Sequence, residues 1–340
     1  MPPSPVISPE ESAYRSFGEQ SLHYFIREHA DLPTGPVESP AAWRGADMVA
    51  RQSDWRHPVA TEILRELDER LDSLEAQGTP IEDVHRDAHP LPRLFEAAKE
   101  WRADLASGRG FVVLTGLPVE RWGETRSGLA FWLIGHALGV PGAQNASDEL
   151  LGHVIDYGET SDAPHVRLYR TASNIGFHCD AADVVGLLCL EKAVSGGASR
   201  IASSVAIWNA LFQQDPDAAK LLFEPFAVDR RDEQPPDQRP FFDMAPCRFD
   251  DEGTLRTFYH GEYFRSAQRL EEIGTLAPER IAALDQYDAI GNDPAYRLDM
   301  HLEPGDIQFI SNHSIVHART EYEDAADRKR HLLRLWLSLE

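Results

Sequence analysis

From about residue 150 onward the sequence breaks into short apolar runs separated by turn residues, and this pattern limits the fold more than any other feature. The runs are "HVIDYG", "HVRLYRT", "VVGLLCLEKA", "SRIASS", "FAVDRR", "LRTFYH", "DIQFISNHSIVHAR" and "RHLLRLWLSL". Short runs rich in β-branched and aromatic residues predict strands, and roughly eight of them with turns between suggest a barrel or sandwich. Helical stretches interrupt them near "VAIWNALFQQ", "DPDAAKLLFE" and "APERIAALDQYDAIG". No internal repeat with a period of about 20–50 residues is present.

The first part of the chain reads differently. "TEILRELDERLDSLEAQG" predicts a helix capped by Thr61, with Ile63, Leu64, Leu67, Leu71 and Leu74 on one stripe and Gly78 as its stop. "LPRLFEAAKEWRADLASG" repeats the pattern, "RGFVVLTGL" predicts a buried strand, and "TRSGLAFWLIGHALG" a third helix. Proline is frequent before residue 45, which predicts an arm over 1–45. One domain is expected over 46–340: a helical part at about 46–150 and a β core at about 109–340 with helical insertions. The fold class is therefore mainly β with flanking helices. "DRRDEQPPDQR" (229–239) reads as a solvated loop, with a lid over a site as the alternative.

Composition removes several functions. The 340 residues carry a net charge of −23, which disfavours phosphate backbones and anionic lipid. No window approaches the ~18 continuous apolar residues of a membrane span, and the N-terminus lacks the basic start and apolar core of a secretory signal. Three cysteines without a CxxC pair suit a reducing cytoplasm. A small-molecule partner is expected, without nucleic acid or membrane.

The chemistry concentrates in "GFHCDAAD", residues 176–183. Alternate residues of a strand share a face, so His178 and Asp180 point together and Cys179 points away. That argues against a Cys–His nucleophilic pair and for a chelate of one imidazole and one carboxylate. A hydrogen-bonded His–Asp pair is the simpler alternative. A metal needs a further ligand, and the candidates are His301, His313, His317 and His331. His317 lies inside an apolar stretch, where a buried imidazole needs a partner. In the last strand Arg330, Leu332, Arg334 and Trp336 share one face, and His331, Leu333, Leu335 and Leu337 the other. The leucine face should pack on helices. Buried arginines need anions, either structural carboxylates or those of a bound small molecule. Two histidines and one carboxylate on one face of a metal leave positions open, as in non-heme Fe(II) oxygenases.

Through "RLYRTASNIGFHCDAAD", "GLLCLEKAVSGGASRIASS" and "LEPGDIQFISNHSIVHART…RKRHLLRLWLS", with "PAAWRGADM" upstream, the chain resembles the TauD/TfdA branch of the Fe(II)/2-oxoglutarate-dependent dioxygenases, the clavaminate synthase-like group. The resemblance implies a double-stranded β-helix (jelly-roll) core with Fe(II) on His178, Asp180 and His317. It implies that Arg330, with Arg328 as competitor, grips the far carboxylate of 2-oxoglutarate, aided by Ser199 of "GGAS". It implies substrate contacts for Arg334 and Asn174. The activity implied is oxidation of an unactivated C–H bond with O2, by default hydroxylation, with desaturation or cyclisation as variants and succinate and CO2 as co-products. The substrate would be a small, carboxylate-bearing amino-acid-like or natural-product molecule. The carboxylate at Asp180 argues against halogenation, and a zinc hydrolase would lack a general base near the motif. The rivals are a cupin-like metal protein without oxygenase activity and a non-catalytic jelly-roll binding protein.

Overall fold

The structure is a computed structural model that describes residues 14–25, 34–145, 147–159, 168–234, 237–250 and 253–339. Two sheets organise it. The larger runs in the order β1 (Arg56–Pro58), β2 (Phe111–Thr115), β9 (Ile307–Ser311), β6 (Val184–Glu191), β11 (His331–Ser338) and β3 (Val140–Gly142), with β4 (Gly152–Ile155) also on β11. The smaller runs β8 (Arg297–Met300), β7 (Ser199–Ser203), β10 (Ile315–Arg319), β5 (Ile175–His178). All pairings are antiparallel except β1 on β2.

The period-two alternation of these strands sorts their side chains into layers. Phe111, Val113, Val185, Ile201, Leu298, Ile310, Ile315 and Trp336, drawn from both sheets, form one cluster, so the sheets face each other. On the outer side of the larger sheet, Val112, Leu114, Leu188, Phe309, Leu333, Leu335 and Leu337 pack against helices. After α1 (Phe17–Phe25), these are α2 (Thr61–Gln77), α3 (Pro92–Ala106) and α4 (Val119–Leu138). The smaller sheet presents Ala202, Val316 and Ala318 to α5 (Ser204–Gln214) and α6 (Pro278–Asn292). The leucine face of the last strand thus meets helices, and its arginine face turns inward.

Local rules fix the helix ends. Gly78 stops α2 in the left-handed region (φ 64°), while Ala60 rather than Thr61 holds the cap position and Thr61 starts the helix. α4 begins earlier than its apolar stripe and breaks at Gly123, whose φ of 70° and ψ of 178° are open to glycine. Among the described residues of the expected arm, α1 is tied inward: Tyr24 is fully buried and its hydroxyl donates to the Thr257 and Asn312 carbonyls at 3.0 and 3.3 Å. Residues 1–13 and 26–33 of that arm lie outside the described residues.

The strand expected at "HVRLYRT" is absent where it is described: Leu168–Arg170 is a 3-10 turn, and residues 165–167 lie outside the described residues. Its carbonyls are used by a side chain, as shown below, rather than by a neighbouring strand. The 229–239 segment links a small hairpin, Phe226–Asp229 with Phe241–Met244. Its base is pinned by buried Asp229, which Arg269 grips through two nitrogens at 2.8 and 3.0 Å. No helix among the described residues is long and apolar enough to cross a membrane.

Candidate active site

β10 pairs with β5 so that His317 lies directly opposite His178, and with β7 on its other side, opposite Ile201. Asp180 follows β5, and its backbone N–H donates to the Asn312 side-chain oxygen at 3.0 Å, which holds the turn leading out of the strand. His178 Nε2 lies 4.0 Å from Asp180 Oδ1, and His317 Nε2 lies 4.0 Å from Asp180 Oδ2. The imidazole centroids are 4.1 Å apart, and the donor atoms of all three residues lie within 4.8 Å of one another. These separations exceed hydrogen bonds. They suit three donors arranged about a common cation.

Their protonation suits it as well. Burial acts to raise the Asp180 carboxyl, but Arg334, His317, His178 and the Trp336 N–H outweigh it and hold it at about 2. Burial, with the neighbouring His178, brings His317 down to about 3, so its imidazole is neutral at neutral pH. A metal needs that combination of ionised carboxylate and neutral imidazole. His178 Nδ1 meets the Gly176 carbonyl at 2.9 Å, which fixes the ring and leaves Nε2 for the cluster. Cys179 points the other way, with its sulfur at 3.7 Å from the Ile315 carbonyl.

The other histidine candidates are engaged elsewhere. His313 is buried with its Nε2 2.6 Å from Asp183 Oδ1, and the same carboxylate meets His23 Nε2 at 2.7 Å. His331 pairs with His153 on the helix side of the larger sheet, and His301 is exposed.

A cavity between the sheets is lined by these three residues together with Tyr169, Ser199, Arg319, Arg330 and Arg334. Its two ends differ in charge pairing. Beside Asp180, Arg334 is partnered: its Nε donates to Gln144 Oε1 at 2.7 Å and its Nη1 lies 3.5 Å from Asp180 Oδ2. Trp336 donates to the same oxygen at 2.9 Å. Arg334 therefore orients the carboxylate, a role beyond the substrate contact expected for it.

At the far end Arg330 and Arg319 are 5 and 6% exposed, and no ion pair joins either to a carboxylate among the described residues. Among the described residues the Arg330 side chain donates to the Gly197 carbonyl at 3.4 Å, and its Nη1 is buried without a hydrogen-bond partner. Arg319 Nη2 donates to the Thr171 carbonyl at 2.7 Å, bracing the turn at 168–173, while its Nε and Nη1 are unsatisfied. Burial and the neighbouring Arg330 charge lower Arg319 to about 10. Tyr322 lies under both guanidinium groups, at 4.9 and 5.1 Å. Ser199, opposite Arg319 in the β7–β10 register, donates to Gln308 at 2.8 Å. Two buried cations with unused donors make a receptor for a carboxylate.

Arg319 was not singled out in the sequence. It sits two residues after His317, so strand alternation was signal enough to place it on the same face. Asn174 is exposed just ahead of β5 and is not among the cavity residues. Arg328, the competitor of Arg330, is largely exposed and lies 3.5 Å from Glu191.

A family model, "Taurine catabolism dioxygenase TauD, TfdA family", matches residues 75–336. FR-33289 synthase of Streptomyces rubellomurinus is 31% identical over 311 residues, covering 90% of this chain and 91% of that protein. The taurine hydroxylase-like protein SAT17 of Stachybotrys chartarum is 26% identical over 353 residues, covering 98 and 88%. Among solved structures, asparagine oxygenase in complex with Fe(II), 3-hydroxyasparagine and succinate superposes with a TM-score of 0.68 at 18% identity, over 84% of this chain and 93% of that one. The non-heme iron oxygenase OrfP with Fe and α-ketoglutaric acid gives 0.62 at 17%, over 84 and 94%.

Proposed function

Because the chain belongs to the TauD/TfdA family and is a 2-oxoglutarate-dependent non-heme iron oxygenase, we propose a residue-level reading of its site. His178, Asp180 and His317 hold Fe(II), and the two facing sheets are a double-stranded β-helix core within a single domain over 46–340. The observation that carries this reading is the convergence of an ionised carboxylate and a neutral imidazole with His178, in one cluster beside unpaired buried arginines.

Bound Fe(II), with 2-oxoglutarate and O2, supplies the oxidising power, and 2-oxoglutarate leaves as succinate and CO2. The chain's own residues supply position and exclusion. Arg330, with Arg319 beside it, takes the far carboxylate of 2-oxoglutarate, and the Ser199 hydroxyl adds a hydrogen bond. A bidentate guanidinium–carboxylate contact fixes the direction in which the keto end points, toward the His178–Asp180–His317 cluster. Arg334, itself held by Gln144, and Trp336 hold Asp180 in its ionised form. Val154, Ile175, Val185, Leu187 and Leu332 line the remaining walls and keep bulk water away from the reacting atoms.

The substrate in this reading is a small amino-acid-like or natural-product molecule with a carboxylate, hydroxylated at an unactivated carbon. Arg334 lies nearest the cluster and meets the anionic group. Asn174 contributes from the rim, where its exposure fits contact with a substrate entering the cavity. Three free, buried cysteines fit a cytoplasmic setting.

The test is an anaerobic titration of the metal-free chain with Fe(II) and 2-oxoglutarate, following the visible absorption that the two develop together on a protein. The absorption is expected in the wild type and lost in His317→Ala and in Arg330→Met. Absorption that survives both changes would remove these residues from the site. Succinate release then screens candidate carboxylates.

A further inference from the structure

A second cluster with metal-ligand chemistry lies on the helix side of the larger sheet, across the sheet from the active cavity. His153 of β4 and His331 of β11 are diagonal neighbours, since His153 pairs in register with Leu333. Both face the side to which Leu333 and Leu335 turn, toward α4. Glu124 reaches them from α4, one residue after the break that Gly123 makes in that helix. Three separate elements thus deliver two imidazoles and a carboxylate to one point, and the donor atoms lie within 4.8 Å of one another.

The distances place a close imidazole pair beside a carboxylate that stands off from both rings. His153 Nδ1 lies 2.9 Å from His331 Nε2, so the rings share a proton or converge on an ion. Glu124 Oε1 is 3.9 Å from His153 Nδ1, and Oε2 is 3.8 Å from His331 Nδ1. Both are too long for hydrogen bonds. Donors around a tetrahedral zinc-class ion, with bonds of about 2.0–2.2 Å, sit roughly 3.3 Å apart, and one donor atom from each of the three residues already lies within 4.8 Å of the others. Neither imidazole needs to leave its strand to meet it. His331 is lowered by burial, which favours the neutral ring a metal takes.

Space for a further ligand is present. A pocket bounded by Thr79, Ile81, Thr125, Leu129, Leu151 and Leu333 opens onto Glu124 and His153. Its two threonine hydroxyls offer partners to a water completing the coordination. Glu124 and His153 side chains are 58 and 36% exposed, so an ion can enter from solvent.

We propose that Glu124, His153 and His331 form a second metal site for a divalent zinc-class cation, with water as the fourth ligand in the pocket. The site is independent of the iron reading, because it shares no residue with it. An ion there ties α4 to the edge where β11 starts, one residue after Arg330.

The test is equilibrium dialysis of the metal-free full chain against Zn2+. Two ions per chain are expected in the wild type, since the His178–Asp180–His317 cluster also takes zinc. One should remain in His317→Ala. One should also remain in Glu124→Gln/His153→Gln, with the affinity of the lost site down by ~100-fold or more. Both substituted side chains of that double variant lie at the solvent-facing rim, so the fold survives their loss. A wild type that takes up a single ion lost in His317→Ala overturns the proposal, and so does a double variant that still binds two.

Discussion

Replacing Arg330 by methionine separates a ligand-binding arginine from a structural one, because the two roles predict opposite effects on stability. The Arg330 side chain is buried, makes a long contact to the Gly197 carbonyl at 3.4 Å, and among the described residues leaves Nη1 without a partner. A structural ion pair loses several kcal/mol when one member is removed, whereas replacing a buried charge without a counter-ion by an apolar side chain of similar length is neutral or stabilising. The unliganded Arg330→Met chain should therefore melt at the wild-type temperature or a few degrees above it. Binding of 2-oxoglutarate moves the other way. Two charge-assisted hydrogen bonds at roughly 1.5–2 kcal/mol each give about 3–4 kcal/mol, or on the order of 100- to 1000-fold in Kd. The assay is thermal unfolding with Fe(II) under anaerobic conditions, with and without 2-oxoglutarate. Saturation at 100 times Kd adds about 2.7 kcal/mol to the wild type, and the same concentration should add almost nothing to the variant. A variant that melts several degrees lower on its own and still gains the full ligand shift would refute the reasoning.

Three further outcomes follow from the same geometry. Gly197 has a φ of +67°, and a Cβ there would lie 2.9 Å from Arg330 Nε, so Gly197→Ala should raise the KM for 2-oxoglutarate severalfold, and an unchanged KM would free Arg330 from that contact. Trp336→Phe removes an N–H donor from Asp180 and so moves its carboxyl up from about 2. The carboxylate, fully ionised above its ordinary range and lost as pH falls through the folded value, should then release metal at a higher pH than in the wild type, with affinity at neutral pH about 10-fold weaker; an unshifted acid release curve would count against it. Burial pushes Cys179, Cys189 and Cys247 up to about 12, so the native chain should leave a thiol reagent at pH 8 unreacted until it is denatured, and rapid labelling of the native chain would contradict that.

The sequence made the proposed metal cluster legible because its signals are local and periodic. His178 and Asp180 are two apart on one extended segment, and His317 is the candidate histidine embedded in apolar residues. The last strand gave its two faces away for the same reason: three leucines alternate with two arginines. What stayed hidden depends on contacts between distant parts of the chain. Nothing in "HSIVHAR" says that Arg319 will lack a carboxylate among the described residues, because that follows from which strands flank β10. Nothing in "HVRLYRT" says that its carbonyls will be taken by the Arg319 guanidinium rather than by a strand. Nothing in "RHLLRLWLSL" says that Arg334 will also be folded against Gln144 and Asp180. Glu124, His153 and His331 are scattered along the sequence and meet only through the β4–β11 register and the packing of α4 against β11.

The charge inside the cavity runs against the charge of the chain. A molecule with a net charge of −23 repels small anions over its general surface. Within the cavity Arg319, Arg330 and Arg334 face a single ionised carboxylate, Asp180, and His317 is neutral. Fe(II) would add two further positive charges on the cluster. Such an excess is costly to bury, and the cost is recovered only when anions enter. In the proposed reading the carboxylates of 2-oxoglutarate would offset part of it, one at Arg330 and one at the cluster. They leave Arg334, braced against Asp180 with its guanidinium 4.7 Å over Tyr169, beside the space a substrate would occupy. A substrate with its own carboxylate lowers the remaining excess further, whereas a cationic or neutral molecule of the same shape does not. Selectivity for an anionic substrate therefore needs no dedicated recognition loop. It follows from arginine charge in the cavity that the metal cluster and its co-substrate leave partly unneutralised.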